Sequence, residues 1–234
     1  LAKNAKDELK FLALGLSGGS LYFLTENMAL KYSTASNVAI IVGTTPMMTA
    51  LLLACFYKDE RMNMRQIQGS FIAFAGLVMV VLNGQFALHL NPLGDALALG
   101  ASITWGVYSL CMKSLSQQYD VRFITRKVFG YGLLTILPWF FFVQPLQTNL
   151  AILGKSVVWM NLLYLALVAS LLCFLTWNWV LPRLGVVKAT NVVYTQCAFT
   201  MVISAWVLGE RITWFAIAGT AVLIAGMLLM IKRK

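Results

Sequence analysis

Charge is scarce in this sequence. Of its 234 residues, 11% are charged and 60% hydrophobic, and the mean hydropathy is +0.79. A soluble domain carries roughly 25% charged residues, so that class is excluded. Histidine occurs once, as His89. The four cysteines, Cys55, Cys111, Cys173 and Cys197, sit in or beside apolar runs, with neither disulfide nor metal spacing. They read as reduced packing residues. Without a ligand cluster or an acid–base pair at mid-depth, a metal centre and an intramembrane hydrolase are both disfavoured. No enzyme activity and no cofactor are expected. The roughly ten-residue alternating segments of a membrane β-barrel are missing. Linkers and low-complexity segments are missing too. The net charge of +10 would suit nucleic acid, but the placement of the basic residues accounts for it without such a partner.

What the sequence has instead is long apolar runs. Residues 36–57 hold no charge over 22 positions, and 67–82 none over 16. A hydrocarbon core about 30 Å thick needs about 20 apolar residues of helix at roughly 1.5 Å each. Eight such runs are present, at 11–28, 36–57, 67–82, 93–111, 123–143, 157–180, 187–208 and 214–231. The fold class is therefore all-α, a polytopic membrane protein. With eight alternating spans, one face collects 15 of the 18 Lys and Arg residues and the other three, Lys31, Lys155 and Arg211. Lys and Arg mark the cytoplasmic side, so both termini are expected inside.

A repeat runs through the chain. A shift of 150 residues superposes Ala39 on Ala189, Glu60-Arg61 on Glu210-Arg211 and Ile67 on Ile217. It also brings Gly69 onto Gly219 and Ala75-Gly76 onto Ala225-Gly226. The first copy ends at the third span and the second at the eighth, so one unit is five helices. Five is odd, and the two halves should be inverted relative to each other. Residues 91–234 then form a complete unit, and 1–90 only the last three helices of its counterpart. The first two helices, about 60 residues, are expected to precede Leu1, and without them the chain should not transport.

These features resemble the EamA-type members of the drug/metabolite transporter superfamily. The resemblance rests on Ala29-Leu30-Lys31-Tyr32-Ser33-Thr34-Ala35-Ser36, on Pro46, and on Glu60-Arg61 followed by Gly69 and Gly76. In the second half it rests on Gly94-Asp95, Trp105 with Tyr108, Leu208-Gly209-Glu210-Arg211, Gly219 and Gly226. It implies ten helices in two inverted five-helix repeats, and movement of small metabolites across a bacterial inner membrane. One departure is Lys58-Asp59-Glu60, where the family has Leu-Gly-Glu; it touches only a turn.

In inverted-repeat transporters the binding site lies near the bilayer midplane. The polar and aromatic residues at that depth are Tyr22, Thr44, Thr45, Trp105, Tyr108, Tyr194, Thr195 and Gln196, the expected substrate-binding set. Under the 150-residue shift Thr44-Thr45-Pro46 falls on Tyr194-Thr195-Gln196. The plainer account is that threonines bond back to their own helix and aromatic rings fill core. Glu26 is the one carboxylate well inside an apolar helix end. It reads as a proton-coupling or gate residue, or as an interfacial ion pair with Lys31. Asn27 and Asn178, at opposite ends of related helices, read as paired gate residues. Glu60 and Glu210 read as helix caps.

No Lys or Arg lies at mid-depth, which disfavours strongly anionic solutes. The expected substrate is a small neutral or zwitterionic metabolite, such as an amino acid, exported or exchanged by alternating access. Lipid is the expected surroundings, and a homodimer is compatible. A lipid-carrier flippase is the alternative within transport. A non-transporting membrane interaction protein is the alternative outside it.

Overall fold

The computed structural model describes residues 2–57, 62–82, 91–142, 154–195 and 213–231, with 199, 202, 203 and 206 between the last two stretches. The described residues are helical apart from short links, and there is no strand among them. In chain order the elements are α1 (Ala5–Gly15), a π-helical stretch (Leu16–Leu21), α2 (Tyr22–Tyr32), α3 (Ala35–Val42), α4 (Thr45–Phe56) and α5 (Met64–Leu82). Then come α6 (Pro92–Leu115), α7 (Val121–Phe142), α8 (Ser156–Leu163), a second π-helical stretch (Tyr164–Leu172), α9 (Cys173–Leu184), α10 (Val186–Val192) and α11 (Trp214–Ile231). By length and apolarity Asn37–Phe56, Met64–Leu82 and Ser156–Leu184 can each cross a membrane, and Trp214–Met230 is a shorter apolar helix.

Helix ends differ from the apolar runs because polar caps extend them. α1 begins in the charged lead-in, where the Asn4 side chain accepts the Asp7 N–H at 2.7 Å. Asp7 and Glu8 then face the positive end of the helix. α6 begins with Pro92, which has no N–H to leave unsatisfied. The Asn91 side chain accepts the Gly94 N–H at 3.0 Å, and Asp95 returns to the Asn91 N–H at 3.2 Å. The run 36–57 is not one helix. It breaks at Gly43 and Thr44, and α4 restarts with Pro46 in its first turn. The seventh run also breaks, at Val193 and Tyr194. These two breaks are equivalent under the 150-residue shift. The π-helical stretches are equivalent as well, since 16–21 falls on 166–171. π-Helix accounts for well under 1% of residues in ordinary proteins.

The chain packs as two compact units, interleaved in sequence. Unit one is Leu1–Leu21 with Cys111–Arg183. Its seam joins α1 and the first π-helical stretch to α7. A Cβ added at Gly15 would sit 2.4 Å from the Tyr131 Cβ, and one at Gly19 would sit 2.8 Å from the Gly132 Cα. Small residues let the backbones approach, and the Ser20 and Thr135 hydroxyls then bond at 2.6 Å. Phe11 is fully buried and meets the stacked Tyr119 and Phe123 rings edge-on. Asp7 is 4% exposed and accepts the Tyr119 O–H at 2.9 Å.

Glu8 closes the same end, bonded by Lys127 and Tyr131. The Lys127 hydrogen bond, then that of Tyr131, lowers its carboxyl from 4.5 to about 2. A depressed acid stabilises the fold fully above its unfolded value, and the contribution disappears as pH falls from 4.5 through about 2. Glu8→Gln should lower the melting temperature by roughly 2–4 °C at neutral pH, corresponding to about 1 kcal/mol after solvent screening. That difference should shrink towards zero in acid. Melting curves of both proteins at neutral and acid pH check it, and a pH-independent difference would remove the ion pair as the cause.

Unit two is Tyr22–Leu110 with Leu184–Lys234. Its main seam is α5 against α11, the most extensive helix pair among the described elements. A Cβ at Gly69 would fall 2.7 Å from the Gly226 O and 2.5 Å from the Met230 Cγ. One at Gly76 would fall 2.6 Å from the Gly219 O and 2.4 Å from the Leu223 N. The helices therefore run antiparallel, with glycine against glycine. Around them Ala73, Leu77, Tyr194, Leu223, Met227 and Met230 form a buried apolar cluster.

Candidate functional site

The candidate site lies in unit two, where α2, α4 and α6 carry most of the expected residues. Tyr22 opens α2 and Glu26 follows one turn later, so the i,i+4 spacing puts both on one face. The Tyr22 O–H donates to Glu26 Oε1 at 3.1 Å. The Tyr22 ring lies 5.0 Å from Trp105, centroid to centroid, and Trp105 lies 5.1 Å from Tyr108. Tyr108 is fully buried, while Tyr22 and Glu26 are half-buried. Three rings and a carboxylate thus form one connected cluster. The rings, tilted by 54° and 30° to one another, offer an angled apolar wall, and the carboxylate can take a proton or a cationic group at its edge. Lys31 does not pair with Glu26. Its ammonium lies over the Tyr32 ring, 6.0 Å from the centroid.

The helix break supplies the neighbouring polar groups. The Thr44 O–H donates to the Ile41 carbonyl at 2.6 Å, and the Thr45 O–H to the Val42 carbonyl at 2.5 Å. The Ile41 carbonyl also accepts the Thr44 N–H at 3.0 Å, whereas the Val42 carbonyl would have met the N–H that Pro46 lacks, and the Thr45 hydroxyl takes its place. Thr45 also reaches the Ser102 Oγ of α6 at 3.0 Å. Sequence reading missed Ser102, which is fully buried and lies three residues before Trp105, on the same helical face. Thr195 repeats the Thr45 geometry, donating to the Val192 carbonyl at 2.6 Å.

Other expected residues do not join this cluster. Tyr194 is 1% exposed and packs in the apolar α5–α11 cluster. It sits in the break that follows α10, and its ring belongs with Ala73 and Leu223 rather than with the Trp105 wall. Asn27 is exposed and its amide donates to the Phe23 carbonyl of its own helix at 2.7 Å. Asn178 belongs to unit one, fully buried, donating to the Thr125 hydroxyl at 2.9 Å. Gln196, Glu60 and Glu210 lie outside the described residues. A small cavity elsewhere in unit two is lined by Gln66, Lys188, Asn191, Val192, Met227 and Met230, none of them expected from sequence. Among the described residues no group of His, Cys, Asp and Glu could hold a metal ion.

Comparison with known proteins places this helical chain. The model of the EamA-like transporter family matches residues 1–82 and 92–232. This chain belongs to the EamA-like transporter family. It is an integral membrane transporter rather than an enzyme. An uncharacterized transporter of Archaeoglobus fulgidus is 29% identical over 240 residues, covering all of this chain and 80% of the relative. A "probable terminal-alkyne amino-acid exporter" of Streptantibioticus cattleyicolor is 27% identical, covering 97% of this chain and 74% of the relative. A "probable amino-acid metabolite efflux pump" of Salmonella typhimurium is 26% identical, covering 92% and 73%. A solved crystal structure shares the EamA-like chain's fold with a TM-score of 0.81 at 16% identity, over 98% of this chain and 79% of that one.

Proposed function

We propose that this EamA-like protein is a secondary transporter that exports or exchanges a small neutral or zwitterionic metabolite, such as an amino acid, by alternating access. The observation that carries this reading is the pair of equivalent helix breaks at 43–44 and 193–194, one of them beside the Tyr22–Trp105–Tyr108 wall. Broken helices at matching positions of two repeats point to the binding site of an inverted-repeat transporter. The names of the Streptantibioticus and Salmonella relatives favour an amino-acid class of solute. The decisive experiment is counterflow by the complete protein in liposomes against a panel of amino acids. Accumulation of one labelled solute against its unlabelled excess supports transport. No exchange with any member of the panel removes the amino-acid reading.

The same proposal includes the architecture. The eight apolar segments correspond to the third to tenth helices of an inverted five-plus-five repeat, in a bacterial inner membrane with both termini cytoplasmic. The glycine seam supports it. Gly69 meets Gly226 and Gly76 meets Gly219, each the shifted counterpart of the other pair. Such reciprocal antiparallel contact is what a pseudo-twofold axis produces. In a cysteine-free background, cysteines in the 58–65 link should resist an impermeant reagent added outside, while those at 209–213 should react. Equal labelling of both links would remove the inversion.

A further inference from the structure

The Tyr22 phenol is shared between two functions. Its oxygen is bonded to Glu26 and its ring packs against Trp105, tilted by 54°. Among the described residues, Glu26 accepts no other hydrogen bond and joins no ion pair. The other ionisable groups of this neighbourhood are committed elsewhere. Lys31 of α2 lies over Tyr32, and Asp95 of α6 bonds the Ser33 hydroxyl at 3.0 Å and the Asn91 N–H at 3.2 Å. Tyr108 of α6 is buried against Trp105, α3 carries no ionisable side chain, and α4 carries only the exposed Cys55. Whatever charge Glu26 carries is therefore communicated chiefly through Tyr22.

We infer that Tyr22 is a positioning residue that couples the protonation of Glu26 to the aromatic wall at Trp105. This rests on the transport reading above. The ionised carboxylate accepts the phenol O–H and holds the Tyr22 ring against Trp105, so the wall is assembled before a solute arrives. A pre-formed surface binds more tightly because less freedom is lost on binding. When a proton from water enters Glu26, the carboxyl becomes a weaker acceptor, while the phenol keeps its own proton. The hydrogen bond weakens, the ring is released and the wall loosens. Proton and solute then oppose each other at one site, and by linkage each lowers the affinity of the other by the same factor. Proton entry would drive solute release. A hydrogen bond to a charged group supports an effect of about tenfold in affinity.

The proton itself is the probe that tests this coupling. Tryptophan fluorescence of the complete purified protein is followed from about pH 4 to 9, a range that brackets perturbed carboxylates. The signal of Trp105→Phe is subtracted to isolate Trp105. The expected result is a pH step from Trp105 that disappears in Glu26→Gln and in Tyr22→Phe. A merely structural role for Tyr22 would change intensity at all pH values and leave the step in place. Each variant is first shown to be monodisperse, and either one alone decides. No step in the unsubstituted protein, or a step with an unmoved midpoint in either variant, overturns the inference. Counterflow separates the two readings. Exchange without the step removes the coupling and leaves transport, whereas a step without exchange leaves the coupling and removes transport.

Discussion

Gly76→Leu should leave almost no folded protein to purify. At this position even a Cβ would lie 2.4 Å from the Leu223 N and 2.6 Å from the Gly219 O. Both are backbone atoms, so no rotamer change can make room. The helices would have to separate, and the loss would spread along the whole α5–α11 seam. Within a membrane that seam has little hydrophobic drive and depends on close packing of small residues. Overpacking typically costs about 1–3 kcal/mol, and a four-carbon branch between two backbones should exceed the upper end. Gly130→Leu is the matched control, because nothing lies within 4 Å of a Cβ there. Detergent-extracted yield and size-exclusion profile are the measurements. A monodisperse Gly76→Leu protein with an unchanged melting temperature would mean that the seam does not hold unit two together.

Trp105→Ala should abolish most transport while sparing most of the folded yield. The substitution removes the central ring and both of its contacts, to Tyr22 at 5.0 Å and to Tyr108 at 5.1 Å. Removing an aromatic residue at the centre of a binding surface costs about 2 kcal/mol or more, which is roughly a 30-fold loss in counterflow rate at limiting solute. Its structural contribution should be smaller than that of the glycine seam, because α6 is also attached through Ser102 to α4 and through Gly94 to Ser33. Trp105→Phe should recover part of the rate, since a ring can still stack. Equal loss of rate and of yield in Trp105→Ala would make Trp105 a packing residue.

Particular residues explain what the sequence revealed and what it concealed. The helices were readable because apolar runs long enough to span a membrane have few other uses. Their ends were less so. Asn4 and Asn91 cap the lead-ins and extend α1 and α6 beyond the apolar stretch. The break at Gly43 and Thr44 was invisible to hydropathy, which does not register where a backbone ladder stops. Pro46 was the available signal, because proline suits a first helical turn better than an interior. Tyr194 shows a different limit. Distance along a helix gives depth in the membrane but not azimuth, and here the azimuth turns the ring into the core. Spacing did contain the partner of Glu26. Lys31 is five residues away, outside the i,i+3 and i,i+4 range of helical neighbours, whereas Tyr22 is four away. Ser102 carries no distinctive chemistry, and only its position one turn from Trp105 marked it.

The paired π-helical stretches have a consequence for how this sequence can change in length. Each π turn holds one more residue than an α turn, so each stretch amounts to an insertion absorbed without a loop. Deleting one residue there would restore ordinary winding and leave the helical faces on either side in phase, because the wider turn has already taken up the extra residue. The same deletion in an α-helical segment would instead rotate everything downstream by about 100° about the helix axis. Residues 16–21 and 164–172 are therefore the places where a one-residue gap in an alignment can fall without re-aiming the side chains on either side. Because the two stretches are equivalent, a gap in one without the other would also mark where the two halves of the chain have diverged in use.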